Sequence, residues 1–179
     1  VSQNSGTVQA SNKTYIMSSY SGSITELYIS EGSYVNEGDL VAHIKSTDLD
    51  MQQENLESQK KIYQTQLDQY TKLLQCVQDD TNYFSETDPE DQPYYYQYET
   101  YKSQVAQKTF DASAYQAAGY SDTQIKTLME QSQSELEALY YSTMQTISQN
   151  ITSAQTNVDN IQAQIDSLNN GANDYYIYA

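Results

Sequence analysis

The sequence predicts an α+β fold that is mostly α, in which a small β part drawn from both ends of the chain brackets long helices. Three observations carry that prediction. Residues 21–44 alternate in hydropathy between glycines, two long heptad-spaced stretches follow, and the final "NDYYIYA" reads again as a strand.

The first of these segments is "SGSITELYISEGSYVNEGDLVAHI". Gly22, Gly32 and Gly38 fall inside it although the whole chain has six glycines, and glycine suits sharp turns that need positive φ. Leu40, Ala42 and Ile44 alternate strictly, the period of a strand with one buried face. Residues 1–45 therefore form short strands joined by tight turns, with "SGTVQAS" and "KTYIMSS" as lead-in strands.

After Lys45 the period changes, and residues 46–83 form a first helix. Leu49, Leu56, Tyr63, Tyr70 and Val77 recur every seven residues, with Gln53, Lys60, Leu67 and Leu74 at the intermediate position. Ser46 and Thr47 supply N-cap oxygens. A helix over 48–83 would be roughly 54 Å long.

Residues 84–121 form a tip. Pro89 and Pro93 cannot sit inside a regular helix, so the first helix ends before them. Beyond lies "PYYYQYETYKSQVAQKTF", where Tyr94, Tyr98, Tyr101 and Val105 share a stripe. That predicts a short helix with Pro93 as its first residue, folded back on the start of the next helix.

Residues 122–170 form the second long helix, with Ser121 as N-cap. Ile125, Leu128, Ser132, Leu136 and Leu139 begin its stripe. After a phase slip, Tyr140, Met144, Ile147, Ile151, Ala154, Val158, Ile161, Ile165 and Leu168 continue it to "NNG", where Gly171 suits a left-handed C-cap. Over 122–169 it would be roughly 72 Å long. Neither stripe is wide enough for a globular core, but each suits one antiparallel partner, so the two helices are expected to form a coiled-coil hairpin. Placing Leu49 opposite Leu168 puts Val77 opposite Tyr140. Residues 171–179 then open a returning strand.

Composition limits the functions available. The 24 acidic residues oppose 8 basic ones, all lysine, for a net charge of -16. Such a chain repels nucleic acid and anionic lipid, and it lacks the guanidinium fork that phosphate sites favour. Its one cysteine, Cys76, excludes an internal disulfide and any cysteine-based zinc cluster. A mean hydropathy of -0.77 suits exposed helices, and no run of eighteen apolar residues occurs. The chain opens on Val1 without a basic and hydrophobic leader and reads as a soluble piece; its first residue is not methionine and "NDYYIYA" reads like a strand cut at its start, so a fragment of something anchored is expected.

The run Gly22, Ile24, Leu27, Ile29, Gly32, Val35, Gly38, Leu40, Ala42 and Ile44 resembles the first half of a biotinyl/lipoyl-like domain. Specifically, it looks like the split form found in membrane fusion proteins, the periplasmic adaptors of the hemolysin D type. In that family a helical hairpin separates the two halves, and "YYIYA" at 175–179 is similar to the opening of the second. The resemblance covers nearly everything except the tip. It implies a helical hairpin inserted in an incomplete lipoyl-like β domain and a non-catalytic adaptor subunit of an export system. Such a subunit is membrane-anchored outside this chain, assembles with copies of itself, and works beside a transporter, often of the ATP-binding cassette type. Gram-negative members use an arginine- and leucine-bearing tip motif to engage an outer-membrane duct. With no arginine here that carry-over fails, which favours a Gram-positive cell surface. A lipoyl or biotin carrier would need an acceptor lysine in the hairpin turn, where "IKSTDLD" stands instead with Leu49 near the acceptor position, and Lys45 belongs to the strand end.

Other chemistry is hard to assemble from these residues, and no catalytic, cofactor or metal site is expected. His43, the only histidine, shares a strand face with Val41 and Lys45 and reads as a surface residue. Asp79, Asp80, Asp88, Glu90 and Asp91 match no calcium loop and mark a solvated turn. Cys76, at neither stripe position, reads as a bystander. Nineteen tyrosines set against two phenylalanines remain. Tyr63, Tyr70 and Tyr140 lie on the stripes, but one helix face cannot bury all of Tyr94, Tyr95, Tyr96, Tyr98 and Tyr101. Those five are the candidate partner-contacting residues, with packing of the tip as the alternative, and Tyr95 and Tyr96 are expected to point off the stripe. Two classes of function stay open: the export adaptor, and a surface-displayed coiled-coil binding or adhesion module.

Overall fold

A computed structural model describes residues 23–45, 47–170 and 174–179. The lead-in strands and the expected roles of Gly22, Ser46 and Gly171 lie outside the described residues. The chain divides into two units, residues 1–56 with 165–179 and residues 57–164. Its architecture is mostly helical with one small antiparallel sheet. No helix among the described residues is long and apolar enough to cross a membrane.

In the first unit β1 (Ser23–Leu27), β2 (Leu40–Lys45) and β3 (Asp174–Tyr178) form a sheet in that order, each pair antiparallel. The returning strand thus joins the sheet at the place its sequence suggests. Pairing of β2 with β3 continues one step further, through Gly38 N to Ala179 O at 2.9 Å and Ala179 N to Asp39 O at 2.7 Å. The loop between β1 and β2 turns twice, with Gly32 at φ 85 and Gly38 at φ 89. Both angles lie in the left-handed region where a Cβ is strained. Asp39 Oδ2 accepts the Asn36 amide at 2.9 Å and closes the second turn.

The strict alternation expected of β2 is broken. Val41 and Ala42 are both buried, because the register shifts between Leu40 and Ala42, and a bulge takes consecutive side chains out of simple alternation. His43 is half-buried in this central strand, between partners Glu26 on β1 and Tyr176 on β3, so the surface placement expected for it is corrected. Ile24 and Leu27, by contrast, are each 61% exposed.

Among the described residues four helices lie between β2 and β3: α1 (Thr47–Asp79), α2 (Gln92–Lys108), α3 (Ala112–Ala117) and α4 (Asp122–Asn169). On α1 every stripe residue from Leu49 to Leu74 is half-buried and Val77 is buried. On α4 Ile125, Ile147, Ala154, Val158, Ile161 and Ile165 are buried, and the remaining stripe positions are half-buried. The phase slip at 139–140 keeps both halves of the stripe covered. Ser121 caps α4 as expected and does so reciprocally: its Oγ accepts the Gln124 amide at 3.2 Å while Gln124 Oε1 accepts the Ser121 amide at 2.9 Å.

Two departures concern the tip. Helix α1 stops at Asp79, four residues before the expected end, because Asp80 takes a left-handed φ of 51 and Thr81 N donates back to Cys76 O at 3.1 Å. Helix α3 was not anticipated. Asp111 caps it by accepting from the Ser113 amide at 3.1 Å. It ends in a Schellman closure, with Gly119 at φ 87, Gly119 N on Gln116 O and Tyr120 N on Tyr115 O. The accompanying apolar contact is the edge-to-face pair of Tyr115 and Tyr120, ring centroids 4.9 Å apart.

Candidate functional site

The loop of residues 80–91 positions the tyrosine-bearing helix. From the end of α1 it travels back until Gln69 Nε2 donates to Asp91 Oδ1 at 2.7 Å and to Glu90 O at 3.2 Å, a retreat of roughly 15 Å along the helix. Asp91 Oδ2 accepts the Ser85 amide at 3.0 Å, and Lys72 Nζ lies 3.8 Å away. The Ser85 amide above all, then Gln69, holds this carboxyl below the usual aspartate value. The acidic run is therefore a turn-builder in which Asp91 and Asp88 accept backbone amides. Among the described residues no three metal-ligating side chains converge.

From Asp91, α2 runs parallel to α1 and past its end. Lys102 and Tyr98 both reach Asp80, and Ser132 on α4 donates to Lys108 O at 2.5 Å. The helix therefore does meet the start of α4, as expected. Its first half instead packs lower down, in a core of Leu73, Cys76, Val77, Phe84, Tyr98 and Ile147. Cys76 is 0% exposed there, and its Sγ accepts the Tyr83 amide at 3.3 Å. The bystander reading of Cys76 is corrected: α2 covers a face of α1 that the heptad stripe leaves out. Burial pushes its thiol pKa up despite the opposing Tyr83 hydrogen bond.

The five candidate tyrosines do not make one surface. Tyr98 is 3% exposed, and desolvation, reinforced by the Asp80 carboxylate, drives its pKa up. Tyr94 packs edge-to-face on Tyr70 at 5.3 Å and stacks on Phe84 at 5.6 Å. Tyr101 is half-buried against the core. Tyr95, expected to point outward, is half-buried too, and Asn82 Nδ2 donates to its carbonyl at 3.3 Å. Only Tyr96 of the five is exposed, at 52%.

Tyr96, Tyr98 and Tyr101 line a groove of about 520 Å³ together with Leu139 and Ile147 of α4 and Leu73 of α1. Thr143, Thr146 and Asn150, one turn apart on α4, form its far wall. These three were missed in the sequence because they flank the apolar stripe and follow no pattern of their own. Thr143 and Asn150 are half-buried beside the seam and Thr146 is exposed. No residue lining the groove is charged, in a chain with a net charge of -16. Compared with known protein families and with curated proteins, the chain matches none.

Proposed function

We propose that this chain is the hairpin-bearing part of a non-catalytic adaptor subunit of a bacterial export system, of the membrane fusion type. The observation that carries the reading is topological: β2 and β3 are adjacent antiparallel strands of one sheet, yet residues 46–173 lie between them. That is the order of a split lipoyl-like domain with a helical insertion. The exposed Ile24 and Leu27 suit a β domain completed by further chain. The covered stripes on α1 and α4 suit a coiled-coil hairpin. In this reading the full protein is membrane-anchored, assembles with copies of itself beside a transporter of the ATP-binding cassette type, and guides substrate outward at a Gram-positive surface. Its mechanism is assembly, and no bound cofactor takes part.

The test is co-purification of the full-length protein with the transporter encoded beside it, followed by export measured in a strain lacking the adaptor. Recovery of the transporter and loss of export support the reading. Full export without the adaptor, together with cell adhesion that depends on this chain, would replace it with the surface-displayed binding module.

A further inference from the structure

The groove between α2 and α4 has a chemistry that neither core packing nor the adaptor reading uses. Its floor is apolar and aromatic, and its rim is made of amides and hydroxyls. Gln97 and Gln104 on α2 and Asn150 on α4 face it, and among the described residues their side-chain amides have no hydrogen-bond partner within the chain. Thr146 Oγ1 donates to Ser142 O at 3.0 Å, so toward the groove it is an acceptor. The rim thus offers donors and acceptors together, with no full charge.

We propose that this groove binds a neutral oligosaccharide. A sugar ring has an apolar face that lies against an aromatic ring such as Tyr96 or Tyr101, and hydroxyls around its edge that both donate and accept. Amide side chains, which also do both, satisfy those hydroxyls as they leave water. An anionic ligand meets repulsion from a net charge of -16, and a cationic one finds no carboxylate in the groove. A proline-rich peptide also suits tyrosine-lined grooves, but proline lacks the N–H. Such a segment presents carbonyl acceptors alone and leaves the oxygens of Gln97, Gln104 and Asn150 unmatched. The volume of about 520 Å³ falls within the roughly 300–1,000 Å³ usual for small-ligand sites.

The proposal does not rest on the adaptor reading, and its test needs no transporter. The chain is titrated calorimetrically with cellotetraose, maltotetraose and chitotetraose, and separately with a decaproline peptide. At least one glycan is expected to bind. Tyr96→Ala, at an exposed position that leaves the core intact, and Asn150→Ala should each weaken binding by about tenfold or more with the melting temperature nearly unchanged for Tyr96→Ala. Absence of binding by all three glycans at millimolar concentration overturns the proposal. So does binding that neither substitution changes, or binding of decaproline that Tyr96→Ala abolishes.

Discussion

Asp91 accepts the Ser85 amide and the Gln69 side chain at once, and through them it ties the returning loop to α1. Because its folded pKa lies below the unfolded value of 3.8, the ionised form is favoured by folding. Its contribution is complete above that value and is lost as pH falls through the lower folded pKa. Asp91→Asn should therefore lower stability by about 1 kcal/mol near neutral pH. The difference from the parent chain should shrink as pH falls below 3.8, which urea melts at several pH values would read. A penalty that grows on acidification contradicts this assignment. Cys76 gives a second test at the same scale. Fully buried and held protonated by desolvation, its thiol can meet a disulfide reagent only after local opening. Its reaction in buffer should be about a hundredfold or more slower than in strong urea, and equal rates would place the thiol at the surface.

At the scale of elements, the readable parts of the sequence are those where one local rule decides. Ser121 could be identified as a cap because an N-cap needs only a side-chain oxygen ahead of a stripe, and Gln124 three residues on completes the box. Ser121→Ala should cost about 1 kcal/mol, measured by thermal unfolding, with Ser121→Asp recovering most of it. The α4 stripe was legible for the same reason, since spacings of three and four admit one buried face. Ile161 is buried and Gln164, on the same helix, is exposed. Ile161→Asp should destabilise by at least about 3 kcal/mol, while Gln164→Asp should stay within roughly 0.5 kcal/mol. Equal effects would mean that the stripe is not what holds α4. The end of α1 was illegible because an aspartate, Asp80, occupies the left-handed position that glycine usually marks. Its contacts with Lys102 and Tyr98 lie 22 and 18 residues away in sequence, beyond any local pattern. The candidate site was legible by half. The stripe of Tyr94, Tyr98 and Tyr101 could be seen, but which surface it would meet depended on the loop's retreat to Gln69, and that retreat buries Tyr95 while leaving Tyr96 outside.

At the scale of the whole molecule, the buried apolar residues among those described are unevenly divided. Among the described residues, Val41, Ala42 and Ile165 are the buried apolar side chains of the unit that contains the sheet. Leu73, Val77, Phe84, Tyr98, Ile125, Ile147, Val158 and Ile161 all belong to the helical unit. Burying a large apolar side chain contributes roughly 1.5–3 kcal/mol, so the two units are expected to open at different free energies. The sheet has a further disadvantage, because among the described residues β1 and β3 are its outer strands and each is paired on one side. Native-state hydrogen exchange read by mass spectrometry should therefore find peptides covering β1 and β2 exchanging well before those covering residues 144–161. A mild urea concentration should widen the gap before global unfolding begins. If the sheet is one half of a split domain, a C-terminally extended chain should slow exchange at Ile24, Leu27 and Ile29 specifically and leave α4 untouched. Slow exchange in β1 without the extension would show that three strands suffice, and it would remove the argument from exposed Ile24 and Leu27 for regarding this sheet as half of something larger.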